Sequence, residues 1–312
     1  MQLGGTDLPA HPALNPAVLL GLFILLRGSE GNVLKLLQLH GGDSISFCNV
    51  FFFSSLITGV VMLLVDRSKV QQRMPQLLPS ERLLLLGQGF FGYFLGPVGF
   101  FLALERLSVV AQTLLFSLTV PLSTIAAGVL LKERLPKVFP ITLAMICAGV
   151  VLGSSRDGVM AMLTPHNQWI GVVWGSIGVV AFALGGVLNR LCSSRDMSVG
   201  LTVGVGSTAS AVVFAVIALI VYGPDHFIAL QLWWVLGVIG LYGLTISLGG
   251  QWTLLASYQK LEAAQISLWS SATLVVALAG AHLLLAEPLG AKAIVGAGLI
   301  LMALLLHQSQ RA

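Results

Sequence analysis

The chain alternates between long apolar stretches and short polar breaks. The hydrocarbon core of a bilayer, about 30 Å thick, is crossed by roughly 20 residues of α-helix. Ten stretches are long and apolar enough for this, so we expect ten membrane-spanning segments. They occupy residues 14–38, 44–65, 82–104, 108–131, 137–154, 168–190, 198–222, 228–256, 262–285 and 289–307.

Within each stretch the apolar residues follow one another without the alternation of a barrel strand, which favours helices. Glycine- and proline-containing turn signals separate several of them. Clear examples are HGGD (40–43), TPHNQ (164–168) and YGPD (222–225). The pattern therefore predicts an all-α membrane protein.

Composition agrees with a membrane location. Of the 312 residues, 56% are hydrophobic and 9% are charged, whereas soluble domains have about 25% charged residues. The net charge of +4 has a ready explanation in the lysines and arginines that stay on cytoplasmic loops. We therefore expect a lipid bilayer around the chain and no nucleic-acid partner.

The distribution of the sixteen Lys and Arg residues predicts the orientation. Cytoplasmic loops are enriched in these residues. With both termini in the cytoplasm of a cell with an inner membrane, eleven fall on the inner side: Arg67, Lys69, Arg73, Arg82, Lys132, Arg134, Lys137, Arg190, Arg195, Lys260 and Arg311. Four fall on the outer side (Lys35, Arg106, Arg156 and Lys292), and Arg27 lies inside the first span.

The two halves of the chain resemble each other when the sequence is shifted by 154 positions. GNVLKLL (31–37) then lies over GGVLNRL (185–191), and LLKERLPKV (130–138) lies over LLAEPLGAK (284–292). Five spans is an odd number, so the second half, 168–307, must enter the membrane from the side opposite to the first, 14–154. Inverted repeats of this kind form the basis of alternating access in many transporters, with the substrate site near mid-membrane.

The repeated segments also resemble a known family. ALERLSVVAQ (103–112), PLSTIAAGVLLKERL (121–135) and GVVLG (149–153) are similar to the EamA domain of the drug/metabolite transporter superfamily. ASYQKLEAAQ (256–265) with LLLAEPL (283–289) forms a second copy. The resemblance implies ten helices around a central cavity and the export or exchange of small metabolites, often amino acids. It also implies that Glu133 and Glu287 mark helix ends.

Two opposite charges lie near the middle of the first span. A charged residue at a helix centre costs about 2.5–3.5 kcal/mol on insertion scales, so it needs a partner, water or a protein surface. Arg27 and Glu30 are three residues apart and share one helix face. Either they bind substrate or carry a coupling proton, or they form an ion pair that only orients the helix. The repeat has Ala181 and Leu184 at the equivalent positions.

Other polar and aromatic residues on the spans are candidates for lining the same cavity. Each also has a structural interpretation, because membrane-embedded polar groups commonly bond to a neighbouring helix. The candidates for substrate binding or coupling besides Arg27 and Glu30 are Gln88, Tyr93, Gln112, Tyr242, Gln251, Trp252, Trp269 and Ser270.

These features favour a carrier for a small polar metabolite, with amino acids or related zwitterions as the first candidates and protons as a candidate coupling ion. A carrier of a phosphate-bearing solute, such as a nucleotide sugar or sugar phosphate, is the main alternative, and a non-transporting membrane scaffold is another. No catalytic residue, cofactor or metal site is predicted, since GxxxxGK[ST] and HExxH motifs are absent from the sequence. The sequence does not indicate an oligomeric state.

Overall fold

A computed structural model describes residues 15–41, 46–133, 135–153, 168–228, 233–258 and 269–309. These residues are helical or in turns, with no strand among them. We number the helices α1 Pro16–Gly41, α2 Phe47–Val65, α3 Arg67–Arg73, α4 Pro79–Arg106, α5 Val109–Leu130, α6 Phe139–Gly153, α7 Gln168–Ser193, α8 Gly200–Val221, α9 Asp225–Ile228, α10 (Trp233–Tyr242, Gly243–Gly249 and Gly250–Tyr258 in succession), α11 Ala272–Leu285 and α12 Ala291–Ser309.

Seven of these helices are long and apolar enough to cross a membrane: α1, α2, α4, α5, α7, α8 and α12. Helices α6 and α11 are shorter and apolar. The chain is thus an all-α, multi-pass membrane protein, as the apolar stretches predict. Residues 262–268, where the predicted ninth stretch begins, lie outside the described part of the chain.

Helix starts follow from capping residues in the sequence. The Asn15 side chain accepts a hydrogen bond from Ala17 N–H at 3.0 Å, and Pro16 occupies the first helical position, where its missing N–H costs nothing. The Ser46 and Ser108 hydroxyls cap α2 and α5 in the same way, accepting from Asn49 and Ala111 N–H. These caps position the mid-helix residues relative to the membrane surfaces.

Two irregular features of the helices recur at the same place in both halves, whereas the π-helical start of α8, Gly200–Gly204, has no π-helical counterpart in α2. Helix α4 contains a π-helical segment, Gly89–Leu95, and α10 contains one at Gly243–Gly249, which is 154 residues later. Helix α5 is interrupted at Ser117, and a turn at Ser271 precedes α11, again 154 residues later. Pro121 follows the interruption in α5, but its counterpart after Ser271 is Val275, so a proline is not common to the two interruptions.

The turns that follow α5 and α11 are also alike. Lys132 and Ala286 both have left-handed backbone conformations, with φ of 55° and 53°. The next N–H groups, of Glu133 and Glu287, donate to the carbonyls of Ala127 and Ala281. This bond reaches six residues back, one residue further than the bond of a Schellman cap, and the left-handed residue stands where helix ends normally have glycine.

The helices of the two halves pack in a reciprocal way. Helix α1 packs mainly on α10 and α11, whereas α7, at the equivalent place in the second half, packs on α4 and α5. Helices α2 and α8 pack on each other, and so do α6 and α12. The largest core cluster joins both halves, with Phe101 and Leu114 from the first and Phe214 and Ile300 from the second.

Glycine allows two of these contacts to be very close. A Cβ atom on Gly99 of α4 would lie 2.6 Å from the backbone nitrogen of Gly178 in α7. A Cβ atom on Gly149 of α6 would lie 2.6 Å from the Gly296 carbonyl oxygen in α12. Small residues let helix backbones approach in lipid, where van der Waals packing is a principal driving force for association.

Candidate functional site

The predicted ion pair lies at the middle of α1. Arg27 Nη1 is 2.5 Å from Glu30 Oε2. The two residues flank the midpoint of the 26-residue helix, and each lies about 16 Å from its nearer end at 1.5 Å per residue. The charges therefore sit at mid-membrane depth, where each needs the other.

A tyrosine from the other half completes the cluster. Helix α10 runs antiparallel to α1, because Gly249 is opposite Leu26 and Leu254 packs with Leu20 and Phe23. This places Tyr242 beside Glu30, and its phenol donates to Glu30 Oε1 at 3.0 Å. Both oxygens of the Glu30 carboxylate therefore have partners.

Arg27 points away from the lipid-facing side of α1. The exposed apolar side chains of this part of the helix are Val18, Leu22 and Leu25, which lie within one narrow sector at 3.6 residues per turn. Arg27 lies on the opposite face, which it shares with the buried residues Phe23 and Leu34. Yet 41% of the Arg27 side chain is exposed. This exposure therefore faces a space between the helices.

Gln88 and Tyr93 form a second polar pair on α4. Both side chains pack on Gly206 of α8, whose added Cβ would lie 2.8 Å from the Tyr93 ring and 3.0 Å from Gln88 Oε1. Gln88 is 2% exposed, so close packing on α8 accounts for its position, and the substrate roles of Gln88 and Tyr93 stay predictions.

Gln112 connects α5 to α4. It is buried, with 1% of its surface exposed, and its amide donates to the Phe100 carbonyl at 2.8 Å. This hydrogen bond gives the Gln112 side-chain nitrogen a partner within the protein. A role of Gln112 in substrate binding therefore stays a prediction.

The remaining predicted residues come from α10 and from the segment before α11. Gln251 and Trp252 are half-buried in α10, between Gly249 and Leu254, and so lie level with the turn of α1 that precedes Arg27. Ser270 is half-buried and Trp269 is 58% exposed, and both precede the turn at Ser271. Their roles also stay predictions.

An aromatic wall beside α1 was missed by the sequence analysis. The Phe100 ring would lie 3.6 Å from a Cβ on Gly31, one turn from Arg27 on the same face. Phe100 packs edge-to-face on Phe116, with ring centroids 4.7 Å apart, and Phe116 packs on Phe182 at 6.0 Å. All three rings are partly exposed. Phenylalanines are too common in membrane helices to indicate a site by sequence alone.

The face of α1 that carries Gly28 and Asn32 packs closely on α11. A Cβ on Gly28 would lie 2.6 Å from Val276 Cβ, so this glycine allows the close approach of a neighbour. The buried Asn32 donates to the Ala277 carbonyl at 3.1 Å. These contacts fix the rotation of α1 about its axis, and thereby the direction of Arg27.

The two acidic turns connect the halves at the helix ends. Glu287 accepts hydrogen bonds from Val109 and Val110 N–H at 2.8 and 3.0 Å, and so caps the N-terminus of α5. Glu133 forms a two-fold interaction with Arg190 of α7, with the shorter bond at 2.7 Å. Both residues act structurally, at helix ends.

Two surface depressions lie away from the ion pair. One, of about 270 Å³, is polar and includes Lys69, Arg73 and Asp196. The other, of about 350 Å³, is an apolar groove between α11 and α12. Neither contains a deep charge, so we place the candidate site at Arg27 on the basis of its chemistry. No group of three metal-ligating side chains occurs among the described residues.

Comparisons with known proteins agree with this arrangement. The sequence profile of the EamA-like transporter family matches residues 32–155 and again residues 169–307. The chain is 28% identical over 280 residues to the uncharacterized transporter sll1164 of Synechocystis sp., covering 87% of this chain and 78% of that protein. A solved crystal structure superposes with a TM-score of 0.54 at 17% identity, covering 95% of this chain and 97% of the other. This last likeness concerns the fold alone.

Proposed function

Because this chain belongs to the EamA-like transporter family, and thus to the drug/metabolite transporter superfamily, we propose that it is a carrier that moves a small polar metabolite by alternating access. It is a multi-pass membrane transporter. We propose amino acids or related zwitterions as its solutes, moved by export or exchange, with protons as the candidate coupling ion.

One observation carries this proposal. Arg27 is at mid-depth, opposite the lipid-facing side chains of its helix, and still 41% exposed. A charge held in that position, beside a carboxylate and a phenol, suits an internal site that binds a polar solute. The repeat supplies only Ala181 and Leu184 at the equivalent positions, so architecture shared by both halves does not require the charges.

The mechanism that we propose uses ten helices arranged as two inverted five-helix repeats, 14–154 and 168–307. The two profile matches, the paired π segments and the reciprocal packing of α1 and α7 support this arrangement. Inverted repeats permit the halves to rock about a central site. We place the protein in an inner membrane with cytoplasmic termini, because eleven of sixteen Lys and Arg residues then lie inside.

Counterflow in proteoliposomes tests the proposal. Vesicles loaded with one unlabelled amino acid at a time should accumulate the labelled form for at least one solute. Arg27→Ala should reduce this accumulation about tenfold or more, because a charged hydrogen-bonding partner is lost. Leu25→Ala, a change on the lipid-facing side of the same helix, should leave it unchanged.

The same assay separates the alternatives. Counterflow of sugar phosphates or nucleotide sugars, without counterflow of amino acids, would replace the proposed solute class by the phosphate-bearing one. Absence of counterflow for every solute in correctly folded protein would leave a scaffold role. Accumulation that is the same in wild type and in Arg27→Ala would remove the ion pair from the transport site.

A further inference from the structure

We propose that the site recognises the anionic group of its substrate through Arg27, and that Glu30 is a positioning residue instead of a ligand for a substrate amine. The apolar body of the substrate packs against Phe100, Phe116 and Phe182. This inference rests on the proposed function and narrows its substrate class to small solutes that carry a carboxylate or similar anionic group on an apolar or aromatic body, with or without an amine.

Glu30 is already engaged on both oxygens. Oε2 contacts Arg27 and Oε1 accepts the Tyr242 phenol, and only 17% of the side chain is exposed. A substrate ammonium would therefore have to displace one of these partners or share a crowded carboxylate. The tyrosine comes from α10 in the other half, so the carboxylate is held from two sides.

Arg27 has the opposite character. Its guanidinium carries five N–H donors in a planar fork, which matches a carboxylate or phosphate in two-fold fashion. The pair contact with Glu30 is made by Nη1, and 41% of the side chain is exposed on the inner face. The contact with Glu30 therefore leaves other N–H donors of the guanidinium for a second acidic group.

The ion pair also places the guanidinium near the aromatic wall. Contact with Glu30, three residues further on, draws the Arg27 head group toward the turn that contains Gly31. Phe100 covers that turn, 3.6 Å from a Cβ on Gly31. A substrate whose anion docks on Arg27 therefore has its body within reach of Phe100 and its neighbours.

Two properties of the pair fit an anion carrier. With the site empty, Glu30 neutralises Arg27, which lowers the cost of a charge at mid-depth. With an anion bound, the guanidinium bridges two acidic groups through different N–H donors. Arg27 and Glu30 precede the first segment matched by the family profile, which begins at residue 32, so the matched segments do not include the ion pair.

Binding of three phenyl-bearing probes to the purified full-length protein tests the inference: 3-phenylpropionate, L-phenylalanine and 2-phenylethylamine. They share the aromatic body and differ in carrying the acid alone, both groups, or the amine alone. We expect 3-phenylpropionate and phenylalanine to bind with affinities within about threefold of each other, and 2-phenylethylamine at least tenfold more weakly. Isothermal titration calorimetry at pH 7 measures these affinities.

Variants separate recognition from positioning. Arg27→Ala should weaken both acids about tenfold or more, and Phe182→Ala should weaken all three probes by a similar factor. Glu30→Gln should weaken both acids equally and leave the ratio of their affinities unchanged. If Glu30 binds the amine, this variant weakens phenylalanine alone. Leu25→Ala is the control on the lipid-facing side.

Three outcomes would overturn the inference: 2-phenylethylamine binding as tightly as 3-phenylpropionate, no binding of 3-phenylpropionate to wild-type protein, or selective loss of phenylalanine in Glu30→Gln. None of these would affect the proposed carrier function, which fails only if no solute shows counterflow.

Discussion

Helices α1 and α7 occupy equivalent places in the two halves and differ in the residues at their centres. In α1 the central residues are Arg27 and Glu30, and the guanidinium is exposed to a space between helices. In α7 the equivalent residues are Ala181 and Leu184, and Ala181 is 1% exposed. One helix thus keeps a polar centre open, and the other is closed by packing.

Glycines contribute differently to the two contacts. In α7, Gly178 and Gly185 meet Gly99 and Gly92 of α4, backbone against backbone. In α1, Gly28 meets the Val276 side chain and the Thr273 carbonyl of α11, and Arg27 projects from a different face, about 100° around the helix. The difference teaches that helices in equivalent places of the two halves can pack in different ways, and that of these two helices α1 alone has a pair of charges at its centre.

The largest effect is expected when α1 is made to resemble α7. The double change Arg27→Ala with Glu30→Leu should reduce counterflow by more than about tenfold, because the cation at the centre of the helix is lost. The protein should still purify as a monodisperse species, since the equivalent apolar pair is accommodated in α7. Undiminished transport by this variant would make the two helices functionally equivalent.

The reverse change should damage the fold. Ala181→Arg places a charge at the centre of α7, at a position with 1% exposure and no acidic neighbour three residues on. An unpaired buried charge costs about 3–5 kcal/mol, so folded yield and melting temperature should fall strongly. Adding Leu184→Glu should restore part of the loss. A stable Ala181→Arg protein would mean that α7 also borders a polar space.

Adjacent glycines of α7 offer a matched pair for the packing contact. A Cβ on Gly185 would lie 2.7 Å from Gly92 Cα, whereas a Cβ on Gly186 meets nothing within 4 Å. Gly185→Ala should destabilise by about 1–3 kcal/mol through overpacking, and Gly186→Ala should not. Thermal melting of both variants in one detergent measures the difference, and equal melting temperatures would contradict the flush packing of α7 on α4.

The smallest effect is expected where the halves are alike. Lys132 and Ala286 have left-handed conformations at equivalent turns, a conformation that glycine adopts without steric cost. Lys132→Gly and Ala286→Gly should each raise stability slightly, by about 0.5–1 kcal/mol, and by similar amounts. Opposite signs for the two changes in melting temperature would show that the turns differ energetically despite their common geometry.

Much of this fold can be predicted from the sequence, because its helices depend on the local order of apolar, polar and capping residues. The apolar stretches predict helices, the caps at Asn15, Ser46 and Ser108 begin them, and the spacing of Arg27 and Glu30 predicts their contact. The shift of 154 residues also aligns features that the sequence analysis did not anticipate, such as the π segments and the turns at Ser117 and Ser271.

The partners of the site residues were not predictable in the same way. Tyr242 meets Glu30 across 212 residues of sequence, and Phe100 reaches Gly31 from another helix. Such contacts depend on how helices rotate about their axes. In lipid both sides of a helix are apolar, so the sequence carries a weak signal of which side faces inward. The contacts of glycines and backbone carbonyls with other helices determine which side faces inward, and these contacts are known only from the folded structure.

The exchange of partners between α1 and α7 has a consequence for the chain as a whole. Each half lends its leading helix to the opposite half, where it covers the third and fourth helices. A gene fragment encoding either half alone would therefore yield a polypeptide whose third and fourth helices lack the helix that covers them. Its own first helix would have no helices to pack against. If two such fragments were made in the same cell, each would supply the covering helix that the other lacks. Two separate subunits would pack in the same way in an ancestor in which the halves were not yet fused.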